Sequence, residues 1–158
     1  NGMVPLLEDR DFLLWESTAI MQYLADRKTG STLFPQDVQV RADVSRWQSW
    51  ALAHFGAACD VLIWENVLKR LLEGGSPDSR RVEEGTQNFL RSAAVLNQHL
   101  EGRKFLVGDQ VTLADFSVAA TLGFVEAAQI PWNGFPNIQK WYATLETLDA
   151  WRRSAPSH

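Results

Sequence analysis

The stretch Val4-Pro5-Leu6-Leu7-Glu8-Asp9-Arg10-Asp11-Phe12-Leu13-Leu14-Trp15-Glu16-Ser17-Thr18 decides how this chain is read. Two short apolar runs flank the polar Asp9-Arg10-Asp11, the pattern of strand, tight turn and strand. Glu16-Ser17-Thr18 then makes a polar helix start. Ile20, Tyr23 and Leu24 follow at helical spacing, and Gly30 supplies a stop. Residues 1–30 therefore read as β-β-α. Two strands and one helix are too little to be stable alone, so they are expected to complete a larger sheet. Asn1-Gly2-Met3-Val4-Pro5 is a turn signal running directly into apolar residues, and further residues are expected before it in the natural protein.

Outward from this unit the character changes. Residues 31–37, Ser-Thr-Leu-Phe-Pro-Gln-Asp, form a linker, and residues 38–158 read as helices with no further convincing strand. A helix over 38–72 places Trp47, Trp50, Ala51, His54, Ala58, Val61 and Leu68 on one stripe. Leu52, Gly56, Cys59 and Ile63 lie on the other side. A helix apolar nearly all round is expected at the centre, touching several partners. Glu73-Gly74-Gly75-Ser76-Pro77-Asp78 breaks it. The next helix, over 79–100, should bury Val82, Thr86, Phe89, Ala93, Leu96 and Leu100. Val111-Thr112-Leu113-Ala114-Asp115-Phe116 carries a capping box. Thr112 and Asp115 satisfy one another's backbone, with Val111 and Phe116 as a hydrophobic staple, and Asp in place of the usual Glu or Gln demands a tighter turn. That helix is expected to reach about 129. A last one over 137–152 turns Ile138, Trp141, Leu145 and Leu148 inward.

Composition excludes several classes. The 158 residues carry a formal charge of −4, which argues against nucleic acid and against an anionic membrane surface. No apolar run approaches the roughly 20 residues of a bilayer span, and no signal peptide is visible. The single cysteine, Cys59, sits among small and apolar neighbours, as a buried thiol in a reducing, cytoplasmic setting would. One cysteine and three histidines far apart in sequence give no metal-ligand spacing, so no metal is expected.

The chemistry gathers at the ends of the hairpin. A helix N-terminus offers unpaired N–H groups and a favourable dipole to a carboxylate. The Ser17 hydroxyl can donate to the same carboxylate, and Glu16 offers an acceptor to an adjacent ammonium. Together they suit the zwitterionic end of an amino acid or peptide. With a cis Val4-Pro5 bond, the Val4 backbone would face open space and could pair with an extended peptide ligand. Taken singly, each residue also has a structural reading: Ser17 as an N-cap, Glu16 as a first-turn carboxylate, Pro5 as a strand-edge proline.

The order and spacing of these residues resemble the glutathione transferase superfamily, of the bacterial, cytosolic type. Residues 1–9 and 12–25 look like the second half of its thioredoxin-like domain. Gly108-Asp109-Gln110-Val111-Thr112-Leu113-Ala114-Asp115-Phe116 is similar to the capping box of its central buried helix. The resemblance covers essentially the whole chain. It implies an α/β remnant (β-β-α, the second half of a thioredoxin-like domain) followed by an all-α C-terminal domain, usually as a homodimer. It also implies that Val4 binds the cysteinyl backbone of glutathione, that Pro5 is cis, and that Glu16 and Ser17 hold the γ-glutamyl group. The implied reaction is conjugation of the glutathione thiolate to a small, apolar electrophile. Isomerisation, dehalogenation, thiol–disulfide reduction and a non-catalytic binding module are the alternatives.

The family's first β-α-β-α stretch, which carries the Tyr, Ser or Cys that activates the sulfur, has no counterpart here. On the order of 50 residues are expected upstream, and the 158 residues alone are expected to be inactive. Tyr23, Tyr142 and Cys59 do not fall at the matching place. The second-substrate wall is expected from Trp47, Trp50 and His54, with core or interface packing as the rival reading of the tryptophans and a hydrogen-bonded structural role as that of His54. Asp115 reads as structural through its cap.

Overall fold

The computed structural model describes residues 2–154. Strand β1 (Leu6–Asp9) pairs antiparallel with β2 (Phe12–Trp15), with Leu6 opposite Trp15 and Asp9 opposite Phe12. The turn closes on Arg10 at φ 58°. Helix α1 (Ser17–Arg27) follows at once. It is tied to the hairpin through Asp9, whose Oδ2 accepts from the Tyr23 hydroxyl at 2.6 Å and also pairs with Arg27. The Phe12 and Tyr23 rings meet at 5.3 Å.

The long helix expected from the sequence is a single rod, Val38–Glu73. It is built from α2 (Val38–Trp50), α3 (Gly56–Ile63) and α4 (Lys69–Glu73), joined by π-helical turns at Ala51–Phe55 and Trp64–Leu68. Asp37 caps its start, accepting from the Gln39 and Val40 N–H groups. By length and composition this rod passes as a membrane span, contrary to the sequence expectation. Its apolarity has another use here, because α5 (Ser79–His99) and α6 (Leu113–Ala120) pack on two of its sides and bury Val44, Trp47, Ala51, Phe55, Cys59 and Leu62. The first π turn depends on Gly56: a Cβ there would stand 2.5 Å from the Ala51 carbonyl oxygen.

Helix α5 (Ser79–His99) runs back along the rod and buries Phe89, Ala93 and Leu96, with Leu100 just beyond its end. Val82 and Thr86 are only half-buried; the closest approach belongs to Gly85, where a Cβ would meet Val61 Cγ1 at 2.9 Å. Glu65, 1 % exposed, locks the turn between rod and α5 by accepting from the Asp78 N–H and from Lys69, with Arg81 at 3.4 Å. No motif in the sequence marks it.

Two helix ends differ from expectation. Helix α6 (Leu113–Ala120) stops well short of residue 129. The Thr121 hydroxyl bonds the Val118 carbonyl at 2.7 Å, and the following N–H groups reach back three residues instead of four, which tightens the helix into turns. The last helix is two, α7 (Pro136–Glu146) and α8 (Asp149–Ser154). The break falls where Thr147 donates its hydroxyl to the Thr144 carbonyl. Ile138, Trp141 and Leu145 are buried as the periodicity requires, and Leu148 is half-buried.

The capping box forms, and its acid does more than cap. Asp115 Oδ2 accepts from the Thr112 N–H at 2.9 Å and lies 3.2 Å from the Thr112 hydroxyl. Its Oδ1 accepts from the Leu106 N–H and the Trp141 indole, both at 2.9 Å. One fully buried carboxylate thus joins the 105–107 connector, α6 and α7. Burial pushes its carboxyl above the ordinary range, against the pull of these donors.

Candidate glutathione half-site

The hairpin register brings the candidate residues to one end. Because Leu6 faces Trp15, Val4-Pro5 and Glu16-Ser17 leave the sheet side by side. The Val4–Pro5 bond is cis. Val4 is 92 % exposed, and its backbone N–H and C=O have no partner among the described residues.

Glu16, rather than Ser17, is the N-cap of α1, with φ 75° and ψ 114°. A non-glycine residue in this region costs about 1–3 kcal/mol. Nothing in the packing compels that cost, since Glu16 is exposed and its side chain makes no hydrogen bond within the described chain. The first helical bond runs from the Ile20 N–H to the Glu16 carbonyl at 2.9 Å. The N–H groups of Ser17, Thr18 and Ala19 are therefore left for an external acceptor. Ser17 is exposed too, and its hydroxyl has no partner among the described residues. Three N–H groups, a hydroxyl, a carboxylate and an unpaired strand-like amide can recognise a peptide with a free carboxylate and ammonium. Their chemistry is positioning.

The three residues of the expected second-substrate wall differ in exposure. Trp47 is 5 % exposed, packed between Trp50 and His99 at ring distances of 5.1 and 4.6 Å. Its indole N–H is buried without a partner among the described residues. Trp50 is half-buried and stacks on Phe55. His54 is exposed in a recess of about 390 Å³ between the rod and α5, beside Asn88, Arg91 and Ser92. It makes no hydrogen bond to the described chain, so it is not a satisfied structural histidine either; that part belongs to His99, which bonds the Leu106 carbonyl. Helical spacing put the three on one face. Neighbouring α5 covers that face at Trp47, through His99, and leaves His54 exposed.

A different face was missed. Asp26 pairs with Arg41, and Gln22 with Ser45 and Gln48, so α1 runs antiparallel to the rod over the stripe 41, 45, 48. Leu52 continues that stripe one turn further, in the direction of the Ser17 end of α1, and is 59 % exposed. Cys59 lies beside Thr121, its thiol pushed up to about 12 by burial, and is inert as a nucleophile there. One turn past Thr121, Phe124 is 54 % exposed. The signal was available in the sequence as the side of the rod opposite Trp47, but only the docking of α1 shows where cover ends. Among the described residues no group of three His, Cys, Asp or Glu could hold a metal.

The structure thus sets a hairpin and helix, with donors unpartnered among the described residues at one end, against a helical bundle. Comparison with known proteins agrees. The descriptions of the glutathione S-transferase N-terminal and C-terminal domains match residues 1–26 and 80–144. Glutathione S-transferase F13 of Arabidopsis thaliana is 32 % identical over 98 % of this chain and 73 % of its own length. The theta class glutathione S-transferase of Xanthomonas axonopodis pv. citri, solved with glutathione bound, superposes with a TM-score of 0.85 at 28 % identity, over 100 % of this chain and 74 % of that one. FtsZ-localized protein A of Caulobacter vibrioides is 28 % identical over 96 % of this chain and 69 % of its own. The chain belongs to the glutathione S-transferase family, with the helical C-terminal part and a remnant of the thioredoxin-like part.

Proposed function

We propose that this chain holds glutathione at the open end of its hairpin and presents the thiolate to a small, largely apolar electrophile. The observation that carries this reading is the cluster of unpartnered donors at Ser17 beside a Glu16 held at positive φ. In this arrangement the α1 N–H groups and the Ser17 hydroxyl take the γ-glutamyl carboxylate, Glu16 takes the ammonium, and the Val4 backbone pairs with the cysteinyl unit. Together these groups contribute orientation. The group that activates the sulfur is a Tyr, Ser or Cys outside the residues described. Leu52 and Phe124 supply apolar surface for the electrophile, in place of Trp47, Trp50 and His54. Two copies act as a homodimer, in a reducing cytoplasmic setting suited to the single buried thiol.

The test is retention of the intact protein on immobilised glutathione together with turnover of a generic aryl halide. Retention and turnover support the reading, and loss of both defeats it. Retention with turnover of a disulfide, a halide-release substrate or an isomerisable substrate instead would move the reaction and keep the ligand. A second reading, a non-catalytic docking module, is supported by the FtsZ-localized relative. The intact Glu16-Ser17 pair stands against it, and a protein that fails to bind glutathione would favour it. Sedimentation of the intact protein tests the dimer.

A further inference from the structure

Helix α1 is fastened to the helical bundle in an unusual way. Most of the buried face of the rod is apolar, but Gln48 is fully buried among Val44, Trp47 and Ala51. Its amide is used at both ends. Oε1 accepts from Gln22 Nε2 on α1 at 2.7 Å, and Nε2 donates to the Ser117 hydroxyl on α6 at 3.1 Å. One buried side chain therefore spans three helices. Apolar contacts such as those of Met21 and Ala25 tolerate sliding, whereas a buried amide bridge is satisfied in a single register.

The other fastening is at the far end of α1. Arg41 grips Asp26 through two bonds of 2.9 Å and also reaches the Phe34 and Pro35 carbonyls. One such pin leaves a helix free to swing, and a second sets its angle. Gln22 also reaches the Ser45 hydroxyl, but at 3.5 Å, the limit of a hydrogen bond, against 2.7 Å to Gln48. Ser17 stands on the order of 13 Å from Asp26 along α1, at 1.5 Å rise per residue. A swing of about 5° around the Arg41 pin would then carry the Ser17 end by about 1 Å, a displacement that can cost on the order of a hundredfold in rate.

We propose that Gln48 is a positioning residue: acting through Gln22, it sets the angle of α1 and so the separation between glutathione held at Ser17 and an electrophile lying on Leu52. This rests on the glutathione reading above. Gln48 touches neither substrate. The carboxylate-binding groups belong to α1 and the hairpin and move together, so glutathione affinity is insensitive to the swing while the meeting of the two substrates is not.

The experiment compares the intact protein, as parent, with its Gln48→Leu, Ser117→Ala and Ser117→Thr variants. It measures kcat/KM for an aryl halide at saturating glutathione, the glutathione Kd, and amide hydrogen exchange over residues 17–27. For Gln48→Leu, kcat/KM per folded molecule should fall about 10- to 100-fold with the glutathione Kd changed by less than about twofold. Exchange over α1 should quicken about tenfold while Ser79–His99 stays protected. Ser117→Ala should share the defect and Ser117→Thr, which keeps the hydroxyl, should restore it. Unchanged kcat/KM in Gln48→Leu, or equal rates in the two Ser117 variants, overturns the proposal; the Ser117 pair settles it if Gln48→Leu does not fold. A parent that binds no glutathione sinks the functional reading separately. The exchange comparison then judges the pin alone, and unaltered α1 exchange removes it.

Discussion

The hairpin with α1 and the helical bundle behind it are built to opposite rules. Between residues 2 and 30 only Ala25 is buried, and Val4, Leu6, Phe12, Leu13 and Trp15 are each 47–92 % exposed. In the bundle, Phe55, Phe89, Leu122, Ile138 and Leu145 are completely enclosed. Stability resides where side chains are removed from water. The polar groups without a partner among the described residues, and the costly backbone of Glu16, lie in the hairpin unit, where we place the ligand. Residues that matter for one property should therefore be nearly silent in the other.

The largest effect belongs to the bundle. Asp115→Ala leaves the N–H groups of Leu106 and Thr112 and the Trp141 indole buried without an acceptor. It should lower stability by about 3–5 kcal/mol. Chemical denaturation checks this, and Asp115→Asn should lose less because one acceptor oxygen remains. Normal stability in Asp115→Ala would remove the capping network from the account.

Next comes the half-site. Combined Glu16→Gln and Ser17→Ala should abolish measurable glutathione binding, a loss of about 2–3 kcal/mol or more for charge-assisted bonds, with helical content unchanged by circular dichroism. Binding that survives would mean the donors at Ser17 serve something else.

A smaller effect is expected where the two regions meet. Leu52→Ala should raise KM for an apolar electrophile with about 1–2 kcal/mol of lost contact, leaving the glutathione Kd as it was. Equal sensitivity of both constants would break the separation of the regions.

The mildest probe is acid. The Asp78 N–H, then Lys69 and Arg81, hold the Glu65 carboxyl below its ordinary value of 4.5. Between the lowered value and 4.5 the unfolded chain binds more protons than the folded one. Its contribution is thus complete above about pH 5 and is lost as pH falls through the lowered value. Glu65→Gln should flatten that acid limb of the stability profile; an unchanged limb would show that the rod-to-α5 lock does not titrate.

Much of this was legible in the residues. Alternation around Asp9-Arg10-Asp11 named the hairpin, the all-round apolarity of 38–72 named the central helix, and Thr112 with Asp115 named the cap. These are local signals, fixed by spacing along one element. What could not be read were relations between elements. Trp47 lies against His99 at the end of α5 while His54 on the same stripe stays exposed, because packing, not periodicity, selects which part of an apolar face is covered. Thr121 and Thr147 ended helices early through hydroxyl bonds that compete with the backbone, a choice the same residue declines in other helices. Glu65 and Gln48 carry no signal of their own in a long helix, yet both are buried.

By itself, then, the sequence determined the β-β-α unit, the helices behind it and the residue types of a carboxylate-binding end, since each rests on dihedral preference and spacing within a few residues. Only the tertiary structure decided that Val4 and Ser17 stand together, that Trp47 is buried while Leu52 stays exposed, and that one buried amide joins α1 to the bundle. Those are distances between groups far apart in the chain, and burial sets them.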